Sequence, residues 1–194
     1  MIGRQITGVI LAGGRSTRMG QDKGLVEIDG QPLFAYIGRK LELQVKTVLV
    51  SCNRHQDRYA ARYPTISDVI PDFAGPLSGM LAGLIASETE WVVFVPCDAP
   101  AFPEHLVARL WEGKGLSLAA YAEDANRAHP ALCLLHKSLI PVLEDYLTRG
   151  ERKVMLFFKH CHAQPVRFDK EEYFSNLNTP DEVAAWQNSM RTTP

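Results

Sequence analysis

The chain has 194 residues, 46% hydrophobic and 22% charged, with a formal net charge of -1. That length suits one domain with a real core. The near balance of charge excludes a nucleic-acid binder held by general electrostatics, and the longest apolar runs, such as 92–95, are far too short to span a bilayer.

Short apolar runs alternate with longer segments of helical period, the pattern of an α/β fold with a largely parallel sheet. Residues 6–11 read as the first strand and 12–24 as a glycine-rich loop. Asp29-Gly30 signals a turn, and Pro32 then suits the first position of a helix whose Leu33, Ile37 and Leu41 share one face. A strand at 47–50, a polar helix through 62 and a short strand at 67–70 follow. Two prolines and a glycine force a loop at 71–76, before a helix rich in small residues at 77–87. The wholly apolar strand 91–95 suits the centre of a sheet covered on both faces. A helix is expected at 104–111, and 116–121 with 131–135 flank a polar stretch as an antiparallel pair. Helices at 139–147 and 152–160, a strand at 164–168 and a loop at 176–179 lead to a last helix. Thr179, Pro180 and Glu182 form its capping box. No repeat, low-complexity segment or linker interrupts the chain, so 1–194 reads as a single domain.

The four cysteines, Cys52, Cys97, Cys133 and Cys161, include no C-x-x-C pair and no secreted disulfide framework. Residues 1–4 do not open a signal peptide, so a reducing, cytoplasmic setting is expected.

The loop after the first strand carries Gly13, Gly14, Arg15, Arg18, Gly20, Lys23 and Gly24. Loops at the C-terminal ends of parallel strands are where α/β sheets bind ligands. Glycines let backbone N–H groups approach a phosphate. Arginine binds phosphate through paired hydrogen bonds and lysine as a point charge, so the composition fits a triphosphate. A P-loop is excluded because Lys23 precedes Gly24. A dinucleotide fingerprint is excluded by the spacing of Gly13-Gly14 and Gly20. The bland alternative is a surface turn with solvated charges. Asp98 closes the apolar strand, between Pro96 and Pro100. Beside a phosphate loop, a carboxylate there is a good magnesium ligand, since magnesium takes hard oxygens and shares them with substrate phosphates. The bland alternative is a turn-capping aspartate.

Together these segments resemble the molybdenum cofactor guanylyltransferases, within the wider nucleotide-diphospho-sugar transferase-like nucleotidyltransferases. The match is L-A-G-G-x-x-x-R-M-G-x-x-K at 11–23, then Asn53-Arg54-His55, Gly75-Pro76-Leu77-Ser78-Gly79, Pro96-Cys97-Asp98, Gly150-Glu151-Arg152 and Asn176-Leu177-Asn178-Thr179-Pro180. The first motif alone marks the superfamily; the last two narrow it to the molybdenum cofactor branch. The resemblance implies a Rossmann-like three-layer α/β/α fold with a mostly parallel, mixed sheet. It implies an N-terminal half that binds nucleotide and a C-terminal half that binds acceptor. The reaction implied is transfer of GMP from GTP to molybdopterin, with release of pyrophosphate and a Mg2+ requirement. By the same resemblance Leu11, Ala12, Gly13 and Lys23 contact GTP, Asp72 holds the nucleoside, and Asp98 binds GTP and magnesium. Arg18, Gly14, Gly20 and Gly75 line the site, and Asn176 and Asn178 form its far wall, near the metal or the acceptor. Where relatives commonly carry asparagine and arginine, this chain has Ser51, with fewer hydrogen bonds to offer a base, and Lys153, without bidentate phosphate binding. A protein that delivers molybdopterin and a molybdoenzyme or its chaperone are expected partners on the same ground.

The acceptor phosphate is already an anionic nucleophile, so no Ser-His or Cys-His pair is needed. Lys23, Arg18 and loop N–H groups are assigned to the triphosphate and Asp98 to the metal. Arg152, Lys153 and Lys159 are candidates for the acceptor. His160-Cys161-His162 is discounted as a zinc site because its spacing is too tight. His55 reads as a helix-start residue, His129 as a turn residue, and Trp91, Trp111 and Trp186 as core. Competing readings are CTP with molybdopterin, a sugar 1-phosphate acceptor, and a non-catalytic scaffold.

Overall fold

The computed structural model describes residues 2–13, 22–70 and 75–192. In chain order its elements are β1 (Ile6–Leu11), β2 (Glu27–Ile28), β3 (Gln31–Pro32), α1 (Leu33–Glu42), β4 (Thr47–Ser51), α2 (Gln56–Ala60), β5 (Thr65–Ile66) and α3 (Pro76–Ala86). Then come β6 (Trp91–Pro96), α4 (Leu106–Gly113), β7 (Ala119–Glu123), β8 (Ala128–His136), α5 (Ile140–Thr148), α6 (Val154–His160), β9 (Gln164–Arg167) and α7 (Pro180–Thr192).

The main sheet runs β5-β4-β1-β6-β8-β7-β9. Its first four strands are parallel, β8 is antiparallel to both neighbours, and β9 runs parallel to β7. The wholly apolar β6 is therefore the middle strand, as its composition requires. Successive side chains of a strand point to opposite faces. Ile6, Ile10, Val93 and Val95 pack on one side with α1 and α4, and Val9, Val92 and Phe94 on the other with α3, α5 and α6. The result is the three-layer mixed α/β/α fold.

Local chemistry explains most boundaries. Asp29 and Gly30 both have positive φ, 48° and 76°, as a two-residue hairpin turn between β2 and β3 demands. Helix α3 is buried along its length from Leu77 to Leu84. Glycines let it lie close to the sheet: a Cβ on Gly83 would stand 2.7 Å from the Phe94 ring.

Several expectations shift. Pro32 ends β3 and caps α1 with extended backbone, so the helix starts at Leu33. Pro76 is not loop but the first residue of α3, where a missing N–H costs nothing. The short strand lies at Thr65–Ile66, not 67–70: the Asn53 side chain takes the Asp68 N–H at 3.0 Å and ends the ladder. Helix α2 is shorter than expected and carries a fully buried Tyr59. The β7–β8 hairpin reaches further into the polar stretch, leaving only 124–127 as its turn. No described helix is long and apolar enough to cross a membrane.

Candidate active site

Three parallel strands end together. Leu11 stands opposite Ser51 on one side and Pro96 on the other. Past their last residues, Ala12 N–H donates to the Ser51 carbonyl at 2.8 Å and Cys97 N–H to the Leu11 carbonyl at 3.1 Å. The start of the glycine-rich loop and the Pro96-Cys97-Asp98 segment therefore leave the sheet side by side. Ala12 and Ser51 are buried, Leu11 is half-buried and Gly13 is exposed. A Cβ on Gly79 would sit 2.8 Å from Ser51 Oγ and 2.9 Å from Leu11 Cδ2, so the first turn of α3 presses directly on this edge.

Lys23 returns the chain to the same place. Its Nζ donates to Asp98 Oδ2 at 3.0 Å and to Asn178 Oδ1 at 2.7 Å. The Lys23 side chain is 23% exposed and that of Asp98 15%. Asn178 is held there from both sides. Leu177 N–H donates to the Asp98 carbonyl at 2.7 Å. The capping box forms as expected, with Glu182 N–H donating to Thr179 Oγ1 and Thr179 N–H to Glu182 Oε2, each at 3.2 Å. Asn176 is exposed in the same loop.

Sequence reasoning missed what holds Lys23. Asp22 caps the short turn Lys23–Leu25, its Oδ1 accepting the Gly24 N–H at 3.2 Å. The buried Tyr59 hydroxyl donates to the same oxygen at 2.6 Å. The signal available was an aspartate directly before the lysine; the tyrosine lay hidden in a segment read as a polar helix.

Among the described residues no group of three or more His, Cys, Asp or Glu side chains could hold a metal. Asp98 Oδ2 and Asn178 Oδ1 nevertheless present two hard oxygens to one ammonium nitrogen. Such a donor set fits magnesium shared with phosphate oxygens. Covalent catalysis by the neighbouring thiol is disfavoured. Burial, then the Asp98 and Asp22 carboxylates, hold Cys97 far above its ordinary value, so it stays a protonated thiol.

Gly14, Arg15, Arg18, Gly20 and Asp72 fall outside the described residues. Arg152 donates to the carbonyls of Leu147 at 3.0 Å and Glu151 at 2.6 Å, at the end of α5. Lys153 caps α6 and its carbonyl accepts from Tyr146 at 2.9 Å. Lys159 lines an open cavity of about 580 Å³ with Tyr121, Phe158 and His162; none of Lys23, Asp98 or Asn178 lines it. Cys161 closes α6 with its thiol on the Phe158 carbonyl. His55 opens α2 with φ 52°. The three tryptophans are only half-buried, packed at the margin of the core.

His129 is no turn residue. It lies inside β8, buried, with Nε2 2.6 Å from Asp124 Oδ2 and its ring against Phe174 at 4.4 Å. The His129 hydrogen bond, backed by the Asn126 and Arg127 N–H groups, lowers the Asp124 carboxyl to about 2. This pair braces the hairpin beside the segment that leads to Asn178.

The MobA-like NTP transferase domain model matches residues 8–164. The molybdenum cofactor guanylyltransferase of Serratia proteamaculans is 54% identical over 192 residues, covering 97% of this chain and 98% of that protein. That of Yersinia pseudotuberculosis is 53% identical over 189 residues, covering 96% and 97%. Among solved structures, molybdopterin-guanine dinucleotide biosynthesis protein A from Archaeoglobus fulgidus superposes with a TM-score of 0.78 at 20% identity, over 96% of this chain and all (100%) of the other. CMP:2-keto-3-deoxy-manno-octonic acid synthetase, solved with CTP, gives 0.76 at 15%, covering 96% and 98%, and supports the fold alone. With strand ends, Lys23, Asp98 and Asn178 gathered on one edge, the chain belongs to the MobA-like NTP transferase family and, within it, to the molybdenum cofactor guanylyltransferases.

Proposed function

We propose that this protein transfers GMP from GTP to molybdopterin, forming the guanine dinucleotide form of the cofactor and releasing pyrophosphate, in a magnesium-dependent reaction. The observation that carries this reading is the meeting of Lys23, Asp98 and Asn178, from segments 75 and 155 residues apart in the chain, at the edge where β1, β4 and β6 end.

The chemical difficulty is bringing an anionic acceptor phosphate to an anionic triphosphate, then stabilising charge on the departing pyrophosphate. Preorganised cations and dipoles meet that need. Lys23 supplies a positive charge fixed by two oxygens, and is the residue assigned to the triphosphate. The ends of β1 and β4, with the first turn of α3 pressed against them, form the floor beneath the nucleoside. Asp98, with Asn178 beside it, would hold magnesium, which would neutralise charge on phosphate oxygens. Arg18 keeps the triphosphate role that its place in the cationic loop suggests, and Asp72 the nucleoside role that the family resemblance gives it. Arg152 and Lys153 keep acceptor roles only through their exposed outer faces, since the Arg152 guanidinium already serves the end of α5.

A protein that delivers molybdopterin, and a molybdoenzyme or chaperone that receives the product, belong to the same reading. So does a cytoplasmic setting, which suits four free cysteines.

The test is pyrophosphate release with molybdopterin present, comparing GTP, CTP, ATP and UTP with and without magnesium. Release with GTP and magnesium only is the expected result. Preference for CTP would replace the guanylyl reading, and release with a sugar 1-phosphate in place of molybdopterin would replace the acceptor.

A further inference from the structure

Tyr59 has no place in the chemistry described above, yet it touches the loop that delivers Lys23. It is fully buried, with its ring edge-on to Phe34 at 4.7 Å between centroids. Its hydroxyl donates to Asp22 Oδ1 at 2.6 Å, and the same oxygen accepts the Gly24 N–H at 3.2 Å. Gly24 lies flat on the tyrosine: a Cβ there would come within 2.5 Å of the hydroxyl oxygen. One phenol therefore fixes the residues on both sides of Lys23. A carboxylate oxygen accepting two donors is strongly oriented, and the protein interior strengthens such bonds. Burial and the neighbouring acids keep the phenol protonated, so it remains a donor throughout the working pH range.

We infer that Tyr59 and Asp22 form a latch that positions Lys23 for catalysis, Tyr59 acting as a positioning residue 37 positions away from Asp22 in the chain. This inference rests on the proposed role of Lys23 in transfer. The mechanical logic is direct. Lysine has a flexible four-carbon stem, and its entropy must be restrained for its charge to act as a preorganised group. Asp98 and Asn178 hold the ammonium end, and the latch holds the backbone end. When a polyphosphate claims the ammonium, the latch, together with the turn bonds from Leu25 N–H to the Asp22 carbonyl and from Val26 N–H to the Lys23 carbonyl, still sets where the side chain starts.

The experiment is a double-mutant cycle. Tyr59→Phe keeps the ring against Phe34 and Gly24 and removes only the donated hydrogen bond. Its kcat for pyrophosphate release is expected to fall roughly tenfold, with KM for GTP changing by less than about threefold. In a Lys23→Ala background the same substitution is expected to leave kcat unchanged, while the thermal midpoint falls by the same amount in both backgrounds. Asp22→Asn, which keeps an oxygen able to accept both bonds, retains most of the activity, and Asp22→Ala resembles Tyr59→Phe. A wild-type kcat for Tyr59→Phe, or an equal loss with and without Lys23, would overturn the latch. Amide hydrogen exchange at Gly24 reads the same contact without turnover. It is expected to accelerate at least roughly tenfold in Tyr59→Phe, and unchanged exchange would also overturn the proposal. If the wild-type chain released no pyrophosphate from any nucleotide, the functional reading would fail, and exchange would still decide whether the latch exists.

Discussion

Replacing Asp98 with asparagine removes one charge from the site at nearly constant shape. The amide keeps an oxygen within reach of Lys23 Nζ, now 3.0 Å from Oδ2. The backbone bond from Leu177 to the carbonyl of residue 98, at 2.7 Å, is untouched. The lost interaction is an ion pair whose partners are 23% and 15% exposed. Solvent screens such a pair, so its contribution to stability is about 1 kcal/mol, and in a chain of this size that shifts Tm by about 2–4 °C. The effect on turnover is larger, because a preorganised electrostatic group is worth about 10²–10³ in rate, or about 2.7–4 kcal/mol of transition-state stabilisation. The assay is pyrophosphate release from GTP with molybdopterin across a magnesium titration, run beside thermal unfolding. The expected outcome is a kcat lower by roughly 10²-fold or more, a higher magnesium requirement, and a melting curve displaced by only a few degrees. A folded variant within about threefold of the wild-type rate at the same magnesium concentration would refute the role assigned to this carboxylate.

Gly79→Ala places a methyl group 2.8 Å from Ser51 Oγ and 2.9 Å from Leu11 Cδ2. The overpacking should cost about 1–3 kcal/mol and weaken GTP binding by calorimetry; intact affinity would separate the floor of α3 from the nucleotide site. Asn178→Ala removes the amide oxygen that holds Lys23 at 2.7 Å and should slow pyrophosphate release roughly tenfold, with an unchanged rate taking Asn178 out of the site. Asp124 sits at about 2, below its ordinary 3.8, because His129 and two backbone N–H groups favour its charged form. The stability it adds is fully present above the ordinary value and is lost as pH falls through the window down to about 2. Acid unfolding followed by circular dichroism should lose this component in Asp124→Asn, and an identical acid limb in the variant would contradict the pairing.

The parts legible in the sequence were those governed by local chemistry. Strand β1 ran from Ile6 to Leu11 as its apolar run indicated, and β6 took the middle of the sheet because nothing polar interrupts it. The capping box at Thr179 and Glu182 is a rule over four residues and was readable as written. Lys23 and Asp98 stood out in the sequence through a glycine-rich loop and the end of an apolar strand, and the structure brings their side chains together. What eluded the sequence depends on distant partners. Tyr59 looks like any residue of a polar helix until Asp22 arrives beneath it. His129 looks like a turn residue before proline, yet the hairpin carries it into the core against Asp124 and Phe174. The bonds from the Arg152 guanidinium to the carbonyls of Leu147 and Glu151 were likewise not read from the sequence.

The reversal of direction at β8 has a consequence for how such a molecule can diversify. Four parallel strands deliver their termini to one rim, and the antiparallel β8 begins at that rim, so the turn at 124–127 rises beside them. The Asp124 carboxylate, bonded to His129 and to the Asn126 and Arg127 N–H groups, sets the height of that turn, whose exposed residues can change without moving the register of any parallel strand. A lineage can thus vary the exposed residues of that turn while the parallel strand ends beside it stay in place.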